Sequence, residues 1–327
     1  MKKVLEIKNY SLALNVNGLL KQAVNNIDLY VEEGEAVALV GESGCGKSLT
    51  ALSIAGLTPK KSQVLSGEIL LNQENVLSYH DQDWRRVRGN EVSMIFQEPM
   101  TALDPLYKVG LQIEEASTIH GLSRKKARVR AQQLMEKVGF NDIDKVYKMY
   151  PHQLSGGMRQ RILICIALME SPTMLIADEP TTALDAMVQR QVLYTMKDVS
   201  SSMNTSLLFI SHDLDLVSQV CRRVYVMYQG KIVESGLCHD ILVEPSHPYT
   251  RDLLSSMPSI HKRGKELPAI KGSVPSLESR KNKGCPFAPR CKQAMPICLE
   301  INPPNTQKGT RKASCHLLKE ENGWIPC

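Results

Sequence analysis

The chain has 327 residues, of which 43% are hydrophobic and 23% are charged, as is usual for a folded globular protein. Its formal net charge of +6 is spread over 40 basic and 34 acidic residues without a basic stripe, which argues against a nucleic-acid-binding surface. No stretch resembles a membrane span or a signal peptide, so we expect a cytoplasmic chain with one large core and a smaller appendage.

The first chemically informative segment is a glycine-rich loop between a predicted strand at 35–40 and a predicted helix at 49–55. Its residues fit the phosphate-binding pattern G-x-x-x-x-G-K-[ST] without mismatch: Gly41, Glu42, Ser43, Gly44, Cys45, Gly46, Lys47 and Ser48. The glycines let backbone N–H groups and the positive helix end face phosphate oxygens. Lys47 would reach the β- and γ-phosphates, and Ser48 would bind Mg²⁺. The loop predicts a nucleoside triphosphate as ligand.

A second phosphate-binding element follows in the middle of the chain. A predicted strand first ends at Gln97, shortly before the helix-breaking Pro99. After a helical region at about 109–146, a second long helix begins with Ser155, Gly156 and Gly157. The free N–H groups of a helix N-terminus bind anions, so this segment predicts a second anion site.

Two later strands also end in polar residues. The apolar run from Met174 ends in Asp178 and Glu179, and the run from Ser206 leads to His212. Because successive strand residues point to opposite sides, we expect Asp178 to face Mg²⁺ and Glu179 to polarise the attacking water. We expect His212 at the carboxyl edge of the sheet, where ligands of such sheets bind.

Together these segments resemble the ATP-binding cassette (ABC) family of ATPases over about residues 4–240. The resemblance rests on Walker A at Gly41–Ser48, the Q-loop Gln97, the signature Leu154–Gln160, Walker B ending in Asp178 and Glu179, the D-loop Ala183-Leu184-Asp185 and the switch His212. It implies an α/β P-loop NTPase fold with a RecA-like core. It also implies an N-terminal antiparallel β subdomain and a helical signature subdomain at about 101–160.

The same resemblance implies an ATPase that acts as a head-to-tail dimer. ATP on the Walker A loop of one subunit would be closed over by signature residues of the other, which here are Ser155, Gly156, Gly157 and Gln160, next to the D-loop Asp185. Mg²⁺ would be held by Ser48, Gln97 and Asp178, and the catalytic residues would be Glu179 and His212. The aromatic residue that usually stacks on adenine would align at Leu14. Either Tyr10 replaces it from a shifted register, or apolar contact alone holds adenine.

The composition changes near Gly236, so we expect an ABC ATPase domain at 1–235 and a C-terminal extension at 236–327. His247–Thr250 and Gly284–Cys291 resemble the C-terminal extension of oligopeptide, dipeptide and nickel importer ATPases. We expect this extension to be a separable module, because residues 41–212 contain every residue assigned to the chemistry.

The nine cysteines divide into a C-terminal group and scattered residues. Cys285, Cys291, Cys298 and Cys315 are spaced C-x5-C-x6-C-x16-C, which suits one four-thiolate site. Structural zinc sites usually use pairs about two to four residues apart, which argues mildly against zinc, whereas the importer resemblance implies a [4Fe–4S] cluster. Zinc and unligated cysteines stay as alternatives, and His316 is a candidate substitute ligand. We expect Cys45 to have a lowered thiol pKa and to be reactive, because it lies near Lys47 and a helix N-terminus.

The functional hypothesis is the ATPase subunit of an importer, peripheral on the cytoplasmic face of the inner membrane, that powers uptake of oligopeptides or dipeptides. A nickel or metal-chelate importer is the alternative. The implied partners are a second ABC ATPase subunit, expected to be a paralogue in a heterodimer, two transmembrane permease subunits and an extracytoplasmic solute-binding protein. A non-transport cassette ATPase acting on nucleic acid or ribosomes is the rival class. Such proteins typically carry two cassettes or a long coiled coil after Walker A, and this chain has one Walker A and no such insertion.

Overall fold

The computed structural model describes residues 2–97, 102–181, 184–257, 268–280 and 283–327. Pro99, Thr101 at the start of the predicted helical subdomain, and Ala183 of the predicted D-loop lie outside the described residues. Within the described ranges, no helix is both long and apolar enough to cross a membrane.

Strands and helices alternate through the middle of the chain. The strands are β1 (Lys3–Val16), β2 (Leu19–Glu32), β3 (Ala36–Val40), β4 (Ser62–Leu71), β5 (Glu74–Asn75), β6 (Val92–Ile95), β7 (Met174–Asp178), β8 (Ser206–Ser211), β9 (Arg223–Tyr228), β10 (Lys231–Leu237), β11 (Asn305–Lys308), β12 (Arg311–Ser314) and β13 (Ile325–Pro326). The helices are α1 (Lys47–Ile54), α2 (Asp81–Val87), α3 (Val109–Thr118), α4 (Arg124–Lys137), α5 (Ile143–Tyr147), α6 (Gly156–Leu168), α7 (Ala186–Ser202), α8 (Leu214–Val220), α9 (Cys238–Val243), α10 (Pro248–Ser256) and α11 (Pro296–Glu300).

The strands form two sheets, as the resemblance implies. The N-terminal sheet is antiparallel with the order β2-β1-β4-β5. The larger sheet has the order β13-β11-β12-β10-β9-β3-β8-β7-β6. Its pairs from β9 through β3, β8 and β7 to β6 are parallel, and its pairs from β9 outward to β13 are antiparallel.

The parallel strands of the larger sheet are buried on both faces. In β8, Leu207 and Phe209 pack into one core cluster, whereas Leu208 and Ile210 pack into the other. Such alternation follows from the two-residue period of a strand, and continuous apolar runs are typical of parallel sheets covered on both sides. One core joins the sheet to α6, α7 and the helical region, and the other joins it to α1 and the N-terminal sheet.

The helical region lies between β6 and β7, where the signature subdomain is predicted. The predicted helical stretch at 109–146 is divided into α3, α4 and α5. Helix α4 buries Ala127, Ala131 and Leu134, whose spacing of four and three residues forms one apolar face against the core.

The C-terminal extension continues the larger sheet, and the expectation of a separable module stays a prediction. β12 pairs with β10 through Glu234 and Ala313, and β10 itself runs across the predicted boundary at 235/236. The buried carboxylate of Glu234 accepts hydrogen bonds from the N–H groups of Ser246 (2.6 Å) and His247 (3.0 Å). Because backbone and side-chain bonds cross this boundary, the extension and the cassette share structure.

Candidate active site

The Walker A loop connects the end of β3 to the start of α1, as predicted. Gly46 caps α1 with φ of 112°, which lies in the left-handed region that favours glycine. A Cβ atom on Gly41 would lie 2.2 Å from the carbonyl oxygen of Met227, so only glycine fits there as well. The loop is therefore packed closely against the β9–β10 hairpin.

Lys47 is held inside this loop. Its Nζ donates to the carbonyl oxygens of Gly41 (2.7 Å) and Glu42 (3.1 Å), and its side chain is only 4% exposed. A Glu179 carboxylate oxygen lies 3.9 Å from the same Nζ. The arrangement places one buried ammonium inside the Walker A loop, beside Glu179.

Ser48 and Asp178 meet across the site. The Ser48 hydroxyl donates to the Asp178 carboxylate at 3.1 Å. Burial raises the pKa of Asp178, and the hydrogen bond from Ser48 opposes that rise. A hydroxyl and a carboxylate are oxygen ligands of the kind that Mg²⁺ prefers, and a bound cation would favour the ionised carboxylate. The donor set fits the predicted magnesium role of these two residues.

Glu179 points to a different set of partners from Asp178. Its Oε2 lies 3.3 Å from the Gln97 amide nitrogen and 3.4 Å from the His212 Nδ1. The hydrogen bond with His212 is the largest cause that lowers the pKa of Glu179, and the same bond raises the pKa of His212. Glu179 has φ of 44°, so its separation from Asp178 comes from a backbone turn at the strand end rather than from strand alternation as expected.

These polar residues share one edge of the sheet. Lys47 follows β3, Gln97 follows β6, Asp178 ends β7 and His212 follows β8, at the carboxyl ends of neighbouring parallel strands. Ligands of open α/β sheets bind at this edge. The structure thus brings together the Walker A, Q-loop, Walker B and switch residues that the sequence predicts.

The signature segment opens α6 with accessible backbone. The Ser155 hydroxyl caps the helix by accepting from the Met158 N–H at 3.3 Å, and Ser155 and Gly156 are exposed. Gly157 is buried, and a Cβ there would lie 2.4 Å from Val188. Among the described residues, no hydrogen bond joins this segment to the Walker A loop of its own chain. The N-terminal residues Ser155 and Gly156 of this segment are therefore exposed at the surface of the chain.

Gln160 is buried in this chain, unlike the neighbouring signature residues Ser155 and Gly156. The side chain has 0% exposed surface, and neither of its polar atoms has a hydrogen-bond partner in the described part of the chain. The contact of Gln160 with a partner's ATP stays a prediction.

Two other predicted residues have local structural roles. Asp185 caps α7 by accepting from the Met187 N–H (3.2 Å) and the Val188 N–H (3.0 Å), and it is exposed. Tyr10 has 0% exposed surface beneath the N-terminal sheet, so it cannot stack on adenine. Leu14 is half-buried, which leaves apolar contact as the remaining one of the two adenine hypotheses.

The expectation of a reactive Cys45 is wrong. The thiol is 1% exposed, and burial raises the pKa of Cys45 more than the nearby Lys47 lowers it. Reactive thiols need both exposure and thiolate character, and Cys45 has neither. Cys45 is therefore a small buried residue within the Walker A loop.

The four C-terminal cysteines share one cavity. Cys285, Cys291, Cys298 and Cys315 line it together with His247, Phe287 and other residues. Burial raises the pKa of Cys285, Cys291 and Cys315. His316 also lines the cavity, but its Nε2 is paired with the Ile301 carbonyl at 2.9 Å. Across the described ranges, no group of three or more His, Cys, Asp or Glu side chains has the geometry of a metal site. The four thiols therefore surround one cavity.

The sequence interpretation missed three residues of the extension that contact the Walker A loop. Arg290 forms an ion pair with Glu42, Arg280 donates to the Gly44 carbonyl, and the Tyr249 hydroxyl accepts from the Glu42 N–H. The short motifs around Tyr249 and Arg290 are visible in the sequence, but nothing local indicates which part of the cassette they reach. Only the fold brings them to the site.

Comparison with family models identifies both parts of the chain. Residues 24–182 match the model described as ABC transporter. Residues 233–298 match the model described as the oligopeptide/dipeptide transporter C-terminal region.

Curated relatives match over nearly the whole length. The oligopeptide transport ATP-binding protein AppD of Bacillus subtilis is 49% identical, over 91% of this chain and 92% of that protein. The dipeptide transport ATP-binding protein DppD of Bacillus subtilis is 45% identical, over 97% of this chain and 95% of that protein. The DppD protein of Lactococcus lactis is 44% identical, over 92% and 87%.

Solved structures share the fold at lower identity. The cbiO1 protein of Clostridium perfringens, part of an ABC transporter complex, has a TM-score of 0.66 at 22% identity, over 75% of this chain and 92% of that chain. The ATP-binding cassette MJ0796, in a dimeric post-hydrolysis state, has a TM-score of 0.63 at 23% identity, over 72% and 98%. These similarities confirm the α/β cassette fold.

Proposed function

We propose that this chain, which belongs to the ABC transporter family of ATPases, is the ATP-hydrolysing subunit of an importer that takes up oligopeptides or dipeptides. The observation that carries the proposal is one chain with a complete ATP-site edge and a C-terminal region of the oligopeptide/dipeptide transporter type. Relatives named for oligopeptide and dipeptide transport span the full cassette and the extension, which favours peptides over nickel or a metal chelate.

ATP would bind on the loop from Gly41 to Ser48. Backbone N–H groups of the loop and the N-terminus of α1 would face the phosphates, and Lys47 would exchange its loop carbonyls for the β- and γ-phosphates. Ser48 and Asp178, with Gln97 at the edge, would hold Mg²⁺, which neutralises charge on the phosphate oxygens.

Glu179 would position and deprotonate the attacking water. Its carboxylate is fixed by Gln97 and His212 beside Lys47, which is the place where a γ-phosphate would lie. An anionic phosphate nearby would raise the pKa of Glu179 from its lowered value, toward the range in which a general base works best. His212 would keep the carboxylate oriented and donate toward the developing charge.

The proposed partners are a second ATPase subunit, two permease subunits and a solute-binding protein. The exposed signature end at Ser155 and Gly156 suits the nucleotide of a second ATPase subunit, expected to be a paralogue, with Asp185 beside it. Two permease subunits would form the channel, and an extracytoplasmic solute-binding protein would deliver the peptide. ATP would favour the closed dimer and its products the open one, and the permeases would convert that population shift to transport on the cytoplasmic face of the inner membrane.

We also propose that the four-cysteine cavity holds a [4Fe–4S] cluster, with zinc as the alternative. Four thiols line the cavity, and thiolates are the ligands that such clusters use. His247 also lines it; its Nδ1 accepts from the Tyr249 N–H at 3.0 Å, whereas its buried Nε2 has no partner among the described residues. Burial lowers the pKa of His247 to about 3, so the neutral ring carries its proton on Nε2 and offers a donor to sulfur. When bound, the cluster would supply a redox-active crosslink between these segments.

The transport proposal is tested with the purified complex of this chain, its paralogue, the two permeases and the solute-binding protein in liposomes. We expect ATP hydrolysis to rise when dipeptides or oligopeptides are added with the binding protein, and labelled peptide to accumulate inside. Stimulation by nickel or a nickel chelate, with none by peptides, would contradict the proposal.

The cluster proposal is tested on the full-length chain purified without oxygen. We expect a brown protein with broad visible absorbance and about four iron and four sulfide per chain. Cys298→Ser should lose the colour, whereas Cys327→Ser, which changes an exposed thiol outside the cavity, should keep it. A colourless protein with one zinc per chain would show that the site is a zinc site.

A further inference from the structure

An ion pair joins the C-terminal extension to the Walker A loop. Arg290 Nη1 lies 2.6 Å from Glu42 Oε2, and Arg290 Nη2 lies 2.9 Å from Glu42 Oε1. The Arg290 side chain is 6% exposed and that of Glu42 is 25% exposed. Two parallel, charge-assisted bonds fix orientation as well as distance, unlike a single exposed ion pair. The contact raises the pKa of Arg290 above its ordinary value, so the guanidinium stays charged.

Two further contacts hold the same loop. Arg280 Nη2 donates to the Gly44 carbonyl at 2.6 Å. The Tyr249 hydroxyl accepts from the Glu42 N–H at 2.9 Å, and its ring is packed against Tyr228 and Phe287. The extension therefore fixes both the backbone and the side chain of the loop's second residue.

These contacts matter because the loop contains glycines, which can adopt many backbone conformations. Lys47 donates to the carbonyl of Glu42, so the position of residue 42 also sets where the ammonium lies. Holding a binding loop in its productive shape before the ligand arrives reduces the ordering cost of binding.

We propose that the C-terminal extension positions the Walker A loop for ATP, with Arg290, Arg280 and Tyr249 as positioning residues. The inference rests on the loop being the ATP site. The extension then acts on nucleotide binding through the loop that it contacts.

The test measures ATP·Mg²⁺ dissociation constants on the full-length chain by displacement of a fluorescent ATP analogue. Arg290→Gln should weaken ATP binding about tenfold, which is the factor that one charge-assisted hydrogen bond is worth. Arg290→Lys keeps the charge and one donor, so it should recover part of the loss. The matched control is Lys292→Gln, in the same segment, whose 67% exposed side chain lies 4.0 Å from Asp252 and, among the described residues, forms no ion pair with the loop. It should bind ATP as the wild type does.

A variant on the other side of the ion pair, Glu42→Gln, distinguishes a loss of loop positioning from a general loss of folding. Glu42→Gln changes only the cassette side of the pair, and the double variant with Arg290→Gln should bind no more weakly than either single variant. In the assembled transporter, Arg290→Gln should raise KM for ATP with kcat nearly unchanged.

Three outcomes decide the matter. Wild-type affinity in Arg290→Gln, or additive losses in the double variant, would overturn the positioning role. If circular dichroism shows that Arg290→Gln is unfolded, Glu42→Gln alone decides, and wild-type affinity there overturns the proposal. Failure of the wild-type chain to bind ATP would instead refute the proposed function.

Discussion

Glu179→Gln should abolish turnover while preserving ATP binding. The substitution keeps the side chain's size and one oxygen that accepts from Gln97 or His212, but it removes the base. Positioned general bases contribute about 10²–10⁴-fold to rate, which corresponds to about 3–5 kcal/mol of barrier. We therefore expect kcat to fall by at least a factor of about 100.

The accompanying effects on stability and binding should be small. The ion pair lost to His212 involves a side chain that is 58% exposed, and exposed pairs contribute little to the free energy of unfolding. Lys47 keeps its two bonds to loop carbonyls, so the ammonium stays in place. Removing a negative charge from beside the γ-phosphate should leave ATP affinity unchanged or improve it.

The assay compares single-turnover hydrolysis and ATP binding in the assembled transporter, and gel filtration with ATP and Mg²⁺ detects a trapped closed dimer. Asp178→Asn is the contrasting variant, since it removes the proposed magnesium ligand and should weaken ATP·Mg²⁺ binding itself. Hydrolysis by Glu179→Gln at more than about a tenth of the wild-type rate would refute its assignment as the base.

The Glu179–His212 pair should contribute to the free energy of unfolding between the ordinary pKa values of the two groups, 4.5 and 6.5. This contribution should fade as pH falls through the lowered pKa of Glu179 or rises through the raised pKa of His212. Denaturant titrations of the wild type and of His212→Asn at several pH values test this. If the free energies of unfolding of the two proteins change with pH in the same way, the pair does not contribute. Phe287→Ala should lower the free energy of unfolding by about 3–5 kcal/mol, because the ring is fully buried among Tyr228, Tyr249 and His247. A loss below about 1 kcal/mol would show that the packing of these four rings contributes little to stability. In native protein at neutral pH, maleimide should label the exposed Cys327 and leave Cys45 unmodified with or without ATP, as read by peptide mass spectrometry; rapid labelling of Cys45 would contradict its buried, raised-pKa state.

The ATP-site edge is predictable from the sequence because each of its residues follows an apolar strand within a recognisable motif. Lys47, Asp178 and His212 all lie where parallel strands end, and the order of the motifs supplies the neighbours. The direction of Glu179 is not predictable in this way, since it depends on a backbone turn at φ of 44°. Motifs therefore indicate which residues meet, and the turn geometry decides what each one touches.

The burial of Gln160 is not predictable from helix spacing. The consecutive residues Ile162, Leu163, Ile164 and Cys165 are all buried, so burial runs round α6 and no single apolar face points inward. The packing around α6 decides which way the Gln160 side chain points.

The contact between Arg290 and Glu42 is not predictable from the sequence. The two residues are 248 positions apart, and no motif that contains one of them indicates a contact with the other. The strand order explains it afterwards. β10 pairs with β9, and β9 lies beside β3, whose carboxyl end leads into the Walker A loop.

The extension begins at β10, which lies only two strand spacings, about 10 Å, from β3 in the sheet. The β9–β10 turn fills that gap. The Gly230 N–H donates to the Cys45 carbonyl at 2.7 Å, and the Gln229 amide donates to the Pro286 carbonyl at 3.4 Å. The turn therefore contacts the Walker A loop on one side and the cysteine-containing segment on the other. An extension paired with β6, at the opposite edge, would lie four strand spacings from β3 instead of two, so the attachment at β10 favours contact with the Walker A loop.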